Sequence, residues 1–85
     1  MSEDVRIGII GIVIEDASKT DEVNSILHSH ADLFAGRMGL PFREKNLAVI
    51  TLIAEGTNDK ISSFTGKLGR IKGISVKSMM TKVKG

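Results

Sequence analysis

Two histidines separated by a single serine, His28 and His30, are the side chains of this sequence that point most directly to metal chemistry. Imidazole nitrogen is a common ligand of zinc and nickel. The surrounding residues have the apolar spacing of a helix, and side chains two positions apart on a helix point about 200° away from each other, so they could chelate one ion only on an extended backbone. His30 also falls on the apolar side of that helix. A partly buried core histidine is therefore the simpler interpretation, and metal binding is the weaker alternative.

A second group that could bind a ligand consists of Gly36, Arg37 and Gly39, in which two glycines flank an arginine. Glycine lets a backbone approach a ligand closely, and a guanidinium can hold an anion through parallel hydrogen bonds. Glycines within a strand also mark bulges. The residues alone support an anion site and a bulge equally.

The sequence lacks the residues on which the common enzyme mechanisms depend. It contains no cysteine, no glycine-rich phosphate loop of the Walker or dinucleotide type, and no serine or carboxylate constellation around either histidine. We therefore expect no catalytic residues, no cofactor and no enzymatic activity.

Apolar runs and helical stripes alternate along the chain and predict six elements that would position these residues. In chain order they are strand β1 over residues 5–14, helix α1 to about residue 32, strand β2 over 33–42, strand β3 over 47–55, helix α2 to about residue 71, and strand β4 over 74–81. The order βαββαβ is that of the ferredoxin-like α+β fold, an antiparallel four-stranded sheet with two helices on one face and β1 and β3 in the middle. We expect a single domain over residues 1–85, with a polar tail at 1–4 and a basic tail at 82–85.

Several residues suggest local detail within these elements. Ser18 or Thr20 is a candidate cap for α1, and Thr57 or Asn58 for α2. Pro41 cannot donate to a sheet ladder, which places β2 at an edge. Two glycines within α2, at positions 66 and 69, suggest that this helix lies close to another backbone.

Strand β1 carries apolar side chains on both alternations, with Ile7 and Ile9 on one and Ile10 and Ile12 on the other. Two helices cover only one face of such a sheet, which leaves an apolar patch on the other. A chain of 85 residues without cysteines also has few other means of stabilisation. We therefore predict that identical copies associate through the open face as a homodimer or homotetramer.

The net charge of +2 conceals an uneven distribution, with −4 over residues 1–55 and +6 over residues 56–85. Such a basic segment could attract nucleic acid. RNA-binding domains of this topology stack bases on aromatic side chains of the central strands, whereas Phe34, Phe42 and Phe64 all lie outside β1 and β3. Direct nucleic-acid binding is therefore not expected, and weak RNA binding is an alternative. The apolar run of β1 is too short to span a membrane, so we expect a cytoplasmic protein.

Residues 5–80 resemble a family of small ACT-like proteins described as regulators of the iron-only hydrogenase system. The resemblance is carried by three segments, GRMGLPFRE at 36–44, LAVI at 47–50 and GKLGRIKGISVK at 66–77. It implies a ferredoxin-like fold of the kind found in amino-acid-sensing ACT domains and in the C-terminal domain of nickel-responsive repressors, which usually associate through their sheets. It also implies a transcriptional regulator. The four residues before β1 are too few for a DNA-binding segment, so such a role would require a partner.

The resemblance also implies a position for a small effector. In an ACT-like domain the site is expected where β1 ends and α1 begins, here at Asp16, Ala17 and Ser18. Amide protons at the start of a helix, next to short side chains, could receive a carboxylate or another small anion. The amino-acid-binding ACT pattern places a glycine in this loop, and this loop has none. A plain capping loop is the alternative for these residues, and a metal-sensing domain like that of nickel-responsive repressors is the alternative function.

Overall fold

The computed structural model describes residues 5–84 as four strands, two α-helices and three short 3-10 turns. The elements are β1 (Val5–Ile14), a 3-10 turn (Ala17–Lys19), α1 (Thr20–Ser29), a 3-10 turn (Ala31–Leu33), β2 (Phe34–Phe42), a 3-10 turn (Arg43–Lys45), β3 (Leu47–Thr57), α2 (Asn58–Gly69) and β4 (Ile74–Lys84). The predicted polar tail at residues 1–4 lies outside the described residues, as does residue 85. Strand β4 continues into the stretch predicted as a basic tail.

The four strands form one antiparallel sheet in the order β2-β3-β1-β4. The predicted ferredoxin-like arrangement is therefore confirmed, with β1 and β3 in the middle and Pro41 on an edge strand. β1 pairs along its whole length with β3, from Val5 opposite Thr57 to Ile14 opposite Ala48. The two most apolar strands of the sequence are also the two that have neighbours on both sides.

One face of the sheet packs against both helices and contains the core. Alternate residues of the central strands point to this face and are almost fully buried, together with the apolar stripes of α1 and α2: Ile10, Ile12, Ile14, Ile50, Leu52, Ala54, Val23, Leu27, Ile61, Phe64 and Leu68. The centre of this layer is Phe64, whose ring makes an edge contact with Phe34 at a centroid distance of 5.0 Å. Both helices therefore owe their position to apolar burial against one face of the sheet.

Helix α1 is shorter than the sequence predicts. It ends at Ser29 and not near residue 32, because His30 leaves the helical conformation at φ −119° and ψ 24° and the chain continues as a 3-10 turn. Its N-cap is Lys19, which makes no side-chain capping bond, so the prediction of Ser18 or Thr20 as the cap was wrong. Helix α2 begins as predicted, since the Thr57 hydroxyl accepts the amide of Lys60 at 3.2 Å.

Strand β3 extends beyond its predicted end at residue 55, because Gly56 pairs with Arg6 and the strand continues to Thr57. The expectation about the two glycines of α2 was wrong. Gly66 and Gly69 are exposed, and a Cβ atom added to either would meet no atom within 4 Å beyond the helix's own backbone. Close backbone approach therefore does not explain the glycines of α2.

The glycines of the fold divide into two classes that mutation can separate. Replacing Gly66 with alanine should raise the free energy of unfolding by about 0.5–1 kcal/mol, because the backbone entropy cost falls and nothing obstructs the methyl group. The matched variant Gly8→Ala should lower it by about 1–3 kcal/mol, because its Cβ would overlap the Met80 sulfur and approach the Met79 carbonyl at 2.8 Å. Urea unfolding followed by circular dichroism measures both, and equal effects of the two substitutions would contradict this division.

Candidate functional site

A cleft of about 240 Å³ lies where the β2–β3 hairpin meets the loop between β1 and α1. Three separate parts of the chain line it: the end of β1, the first residues leading into α1, and the hairpin. The lining residues are Ile14, Ala17, Thr20, Pro41, Arg43, Asn46, Leu47 and Ala48. Of the residues predicted for an effector site, Ala17 therefore lies in this cleft.

The cleft is lined by both apolar and polar residues. Pro41 and Ala48 supply accessible apolar surface, whereas Arg43 and Asn46 supply a guanidinium and an amide. The turn that presents both polar residues depends on Asn46, whose φ of 58° is in the left-handed region that asparagine tolerates better than most residues. This arrangement suits a small anionic molecule with an apolar portion. Sequence reasoning missed Arg43 because it treated residues 43–46 only as a turn.

Asp16 and Ser18 do not leave open amides for an anion. The Asp16 carboxylate accepts the Ser18 amide at 3.0 Å and the Ser18 hydroxyl at 2.7 Å, and so caps the 3-10 turn itself. The Ser18 hydroxyl, followed by its amide and the charge of Lys19, lowers the pKa of the Asp16 carboxyl below its ordinary value of 3.8. These bonds give the loop one well-defined conformation beside the cleft.

The loop is also held from the opposite side by the turn before β4. The Gly73 carbonyl accepts the amides of Glu15 at 2.7 Å and Asp16 at 3.3 Å. Gly73 has a φ of +85°, and a Cβ atom there would lie 2.6 Å from the Asp16 Cβ. Only glycine fits both the conformation and the space at this position. Residues far apart in sequence thus set the position of the β1–α1 loop.

Gly36, Arg37 and Gly39 all lie on the edge strand β2 but do not form one group on one face. Gly36 pairs with Ile53 on the open face, whereas Arg37 and Gly39 pair with residues of β3 on the helix-bearing face. The register of β2 shifts between Phe34 and Gly36, so this segment does contain an irregularity of the kind that glycines mark. Arg37 is exposed, and the cleft is lined by Arg43 instead.

The two histidines point to different surroundings. His28 is exposed on α1, whereas His30 is half-buried with its ring 5.3 Å from the ring of Phe64. The His30 Nδ1 lies 3.0 Å from the Ile26 carbonyl, and Nε2 lies 3.3 Å from the Lys67 ammonium. A ring that donates from Nδ1 and accepts at Nε2 satisfies both contacts. Among residues 5–84, no three His, Asp or Glu side chains are placed to hold a metal ion together.

A second depression, of about 300 Å³, lies at the opposite end of the helical layer, between the end of α1 and the start of α2. Its lining residues are His30, Asp32, Leu33, Asp59, Lys60 and Ser63. It is shallow, and two carboxylates and one ammonium line it. The hairpin cleft, in contrast, combines one guanidinium with apolar surface and adjoins the loop to which the ACT-like resemblance points.

The open face of the sheet is the other surface with functional potential. Residues paired across antiparallel strands point to the same face of a sheet. By this rule, all the large hydrophobic side chains that are exposed among the described residues lie on the open face. These side chains are Ile7, Ile9, Met38, Leu40, Phe42, Ile53 and Met79. They are between 39% and 68% exposed.

Comparison with known proteins identifies the family. The model of the TM1266-like family, which carries the description "Iron-only hydrogenase system regulator, putative", matches residues 6–78. The chain belongs to the TM1266-like family. One of its TM1266-like relatives of known structure, the uncharacterized protein TM1266 from Thermotoga maritima, is 40% identical over 93% of this chain and 100% of that chain, with a TM-score of 0.88. The resemblance stated from the sequence is therefore confirmed.

More distant structures share the fold of this TM1266-like chain. CPII, a nitrogen regulatory PII-like protein from Thiomonas intermedia K12 bound to ADP, AMP and bicarbonate, is 9% identical with a TM-score of 0.52, covering 91% of this chain and 97% of that chain. A DUF3240 family protein from Shewanella baltica OS155 is 11% identical with a TM-score of 0.54, covering 100% and 97%. At these identities the likeness concerns the fold alone. No curated protein matches the sequence, and no helix within the described residues is long and apolar enough to cross a membrane.

The Asp16–Ser18 interaction predicts a measurable titration. Replacing Ser18 with alanine removes the hydroxyl donor, so the pKa of the Asp16 carboxyl should rise towards 3.8. Because the folded-state pKa lies below the unfolded one, the stabilising effect of these bonds is complete above the unfolded pKa and is lost as the pH falls through the folded-state value. NMR titration of the Asp16 carboxyl carbon measures the shift. The control is Ser29→Ala, which removes a hydroxyl that donates to the Ile26 carbonyl and should leave the pKa of Asp16 unchanged. If the pKa of Asp16 were also unchanged in Ser18→Ala, this assignment would be refuted.

The turn at residue 73 should be sensitive to any side chain. Gly73→Ala should lower the free energy of unfolding by about 1–3 kcal/mol, because of the positive φ and the overlap with Asp16. Gly69→Ala, with open space around its Cβ, is the matched control and should not destabilise the fold. Equilibrium unfolding in urea compares the two, and a neutral Gly73→Ala would show that the turn does not hold the loop.

Proposed function

We propose that this chain is a cytoplasmic, non-enzymatic regulatory module of the iron-only hydrogenase system that binds a small effector and works as an assembly of identical copies. The observation that carries the proposal is the hairpin cleft, which Arg43 and Asn46 line together with apolar residues beside the β1–α1 loop. The family description supports a regulatory role.

The chemistry of the cleft favours an anionic effector. Arg43 offers a permanent positive charge and several N–H donors, and Thr20 adds a hydroxyl at the start of α1. The apolar surface of Pro41 and Ala48 would contact the uncharged part of the molecule. A volume of about 240 Å³ limits the ligand to the size of an amino acid, a small organic acid or part of a nucleotide.

The hairpin connects the cleft with the open face, which gives a physical route from binding to assembly. Arg43 and Asn46 lie in the turn, whereas the flanking residues Phe42 and Leu47 pair with each other on the open face. A ligand that fixes the turn would therefore also restrain side chains on the surface through which copies are proposed to associate. Coupling of this kind requires only that the ligand binds the assembled and free forms with different affinity.

Self-association is supported by the extent of apolar surface on the open face. The exposed fractions of the seven large side chains correspond to roughly 700 Å², taking about 200 Å² for each fully exposed side chain. A standard stable interface buries about 800 Å² per partner. A second copy is therefore a sufficient cover for this face.

Ligand binding at the cleft should depend on Arg43. A thermal-shift screen with amino acids, small organic acids, AMP, ADP and bicarbonate should yield at least one compound that raises the melting temperature. At 100 times its Kd a ligand stabilises the folded state by about 2.7 kcal/mol, which corresponds to several degrees.

The control for this screen is a second basic residue of the same turn. Arg43→Gln should abolish the shift, whereas Lys45→Gln, which removes the same charge from a residue that does not line the cleft, should retain most of it. A shift that survives in Arg43→Gln would place the effector elsewhere. Absence of any shift across the screen would count against an effector-binding module.

Mass measurement tests the assembly. Light scattering at micromolar concentration should give at least twice the mass of 9.2 kDa. Ile9→Glu should shift the protein towards the monomer, because it buries a charge at the middle of the open face, whereas Ser62→Glu on the outer side of α2 should not. A monomeric wild-type protein would overturn the proposed self-association.

A further inference from the structure

The open face is not uniformly apolar, because its large apolar side chains lie towards different edges of the sheet in successive rows. Across the strands in the order β2, β3, β1, β4, the register forms three complete rows on this face: Gly36, Ile53, Ile9 and Met79; Met38, Thr51, Gly11 and Lys77; and Leu40, Val49, Val13 and Ser75. In the first row the large apolar side chains lie towards β4. In the other two they lie towards β2.

The same trend continues beyond these rows. Next to the first row, Ile7 on β1 pairs with Glu55 on β3, so the apolar residue is again on the side of β4. Next to the last row, Phe42 pairs with Leu47 at the β2 edge. The seven exposed hydrophobic residues therefore form a diagonal band, with Ile7, Ile9, Ile53 and Met79 at one end and Met38, Leu40 and Phe42 at the other.

The two corners outside the diagonal band are small or polar. One holds Gly36 and Glu55. The other holds Ser75 and Glu15, whose side chains form a hydrogen bond of 3.1 Å with each other. Between the two ends of the band lies Gly11, which has no side chain. Burial of the corners would desolvate two carboxylates, whereas burial of the band would not.

The direction of the band follows from sheet geometry. Strands lie about 4.8 Å apart and rise about 3.4 Å per residue, so the band crosses about 14 Å of sheet while advancing about 20 Å along the strands. It is therefore inclined by about 35° to the strand direction. A two-fold axis that superimposes the band on its own copy lies along the band or perpendicular to it, and either choice makes the strands of two facing sheets cross at about 70°.

From this pattern we infer that the open face binds a second copy of this chain in a crossed arrangement, with diagonal band against diagonal band and both polar corners left in water. The inference rests on the proposed self-association and adds its geometry. It differs from the aligned packing of a β-sandwich, in which strands cross at about 30° and the whole face is covered. A second copy fits because two identical bands match in length and apolar character, and because a net charge of +2 per chain causes little repulsion.

Thiol labelling can distinguish these geometries, because the chain has no cysteine of its own. Four single-cysteine variants sample the face: Leu40→Cys and Met79→Cys at the two ends of the band, and Ser75→Cys and Glu55→Cys in the two corners. All four positions are exposed in a single copy, so each thiol would react freely in a monomer. The rate of reaction with a maleimide is measured at about 100 μM protein, beside the light-scattering mass of each variant, and again in denaturant as a reference.

The crossed arrangement predicts slow labelling at positions 40 and 79 and fast labelling at 75 and 55. If the Kd of the dimer is about 1 μM, fewer than about one chain in ten is free at this concentration, so the difference should be about tenfold. Met38→Cys and Ile9→Cys replace the band variants if either no longer has the mass of the wild type.

Each other outcome overturns a different statement. A dimer in which all four thiols are slow indicates aligned packing and refutes the crossed arrangement while preserving self-association. A dimer in which all four are fast, or only the corners are slow, shows that the diagonal band is not the contact. A monomeric wild type refutes the proposed self-association itself.

Discussion

The structure depends on one constraint: its central strand β1 is apolar on both faces, and the two helices can cover only one of them. The side chains that β1 directs towards α1 and α2 are almost fully buried: Ile10, Ile12 and Ile14. The residues that alternate with them along the strand, including Ile7 and Ile9, therefore point to the open face. Because side chains alternate strictly along a strand, no local adjustment can move both sets inside. The fold thus has a well-packed core and an uncovered apolar surface for the same reason.

The β2–β3 hairpin is where this constraint meets the candidate site. Its turn presents Arg43 and Asn46 to the cleft, and its strands carry Phe42 and Leu47 on the open face. The opposite wall of the cleft is held by the Asp16–Ser18 bonds and by the Gly73 carbonyl. One side of the cleft is therefore fixed to the core, whereas the other includes the edge strand β2 and the turn that follows it. An edge strand and its turn have fewer packing partners than central strands, which makes them suitable elements for a response to a ligand.

The fold could be predicted largely from the sequence because strand and helix patterns depend on local alternation and spacing. The errors lay at the ends of elements, where local preference competes with tertiary contacts. His30 ends α1 early as its ring packs against Phe64 and its Nδ1 returns to the Ile26 carbonyl. Gly56, a strand breaker by preference, remains in β3 because it is paired with Arg6. The cleft was predicted only in part: Ala17 follows from the resemblance to ACT-like domains, whereas Arg43 enters through the position of a turn.

What the sequence determined by itself was the order of the elements, the central position of β1 and β3, and the presence of more apolar surface than two helices can cover. These follow from residue periodicity and from the number of elements available. The tertiary structure decided which residues share a row across the sheet, since the pairing register joins Ile9 of β1 to Ile53 and Met79, which are 44 and 70 positions away. It thereby brought Gly73 against Asp16 and arranged the exposed hydrophobic residues as a diagonal band. A linear pattern specifies the face of a side chain, but only the register specifies its neighbours on that face.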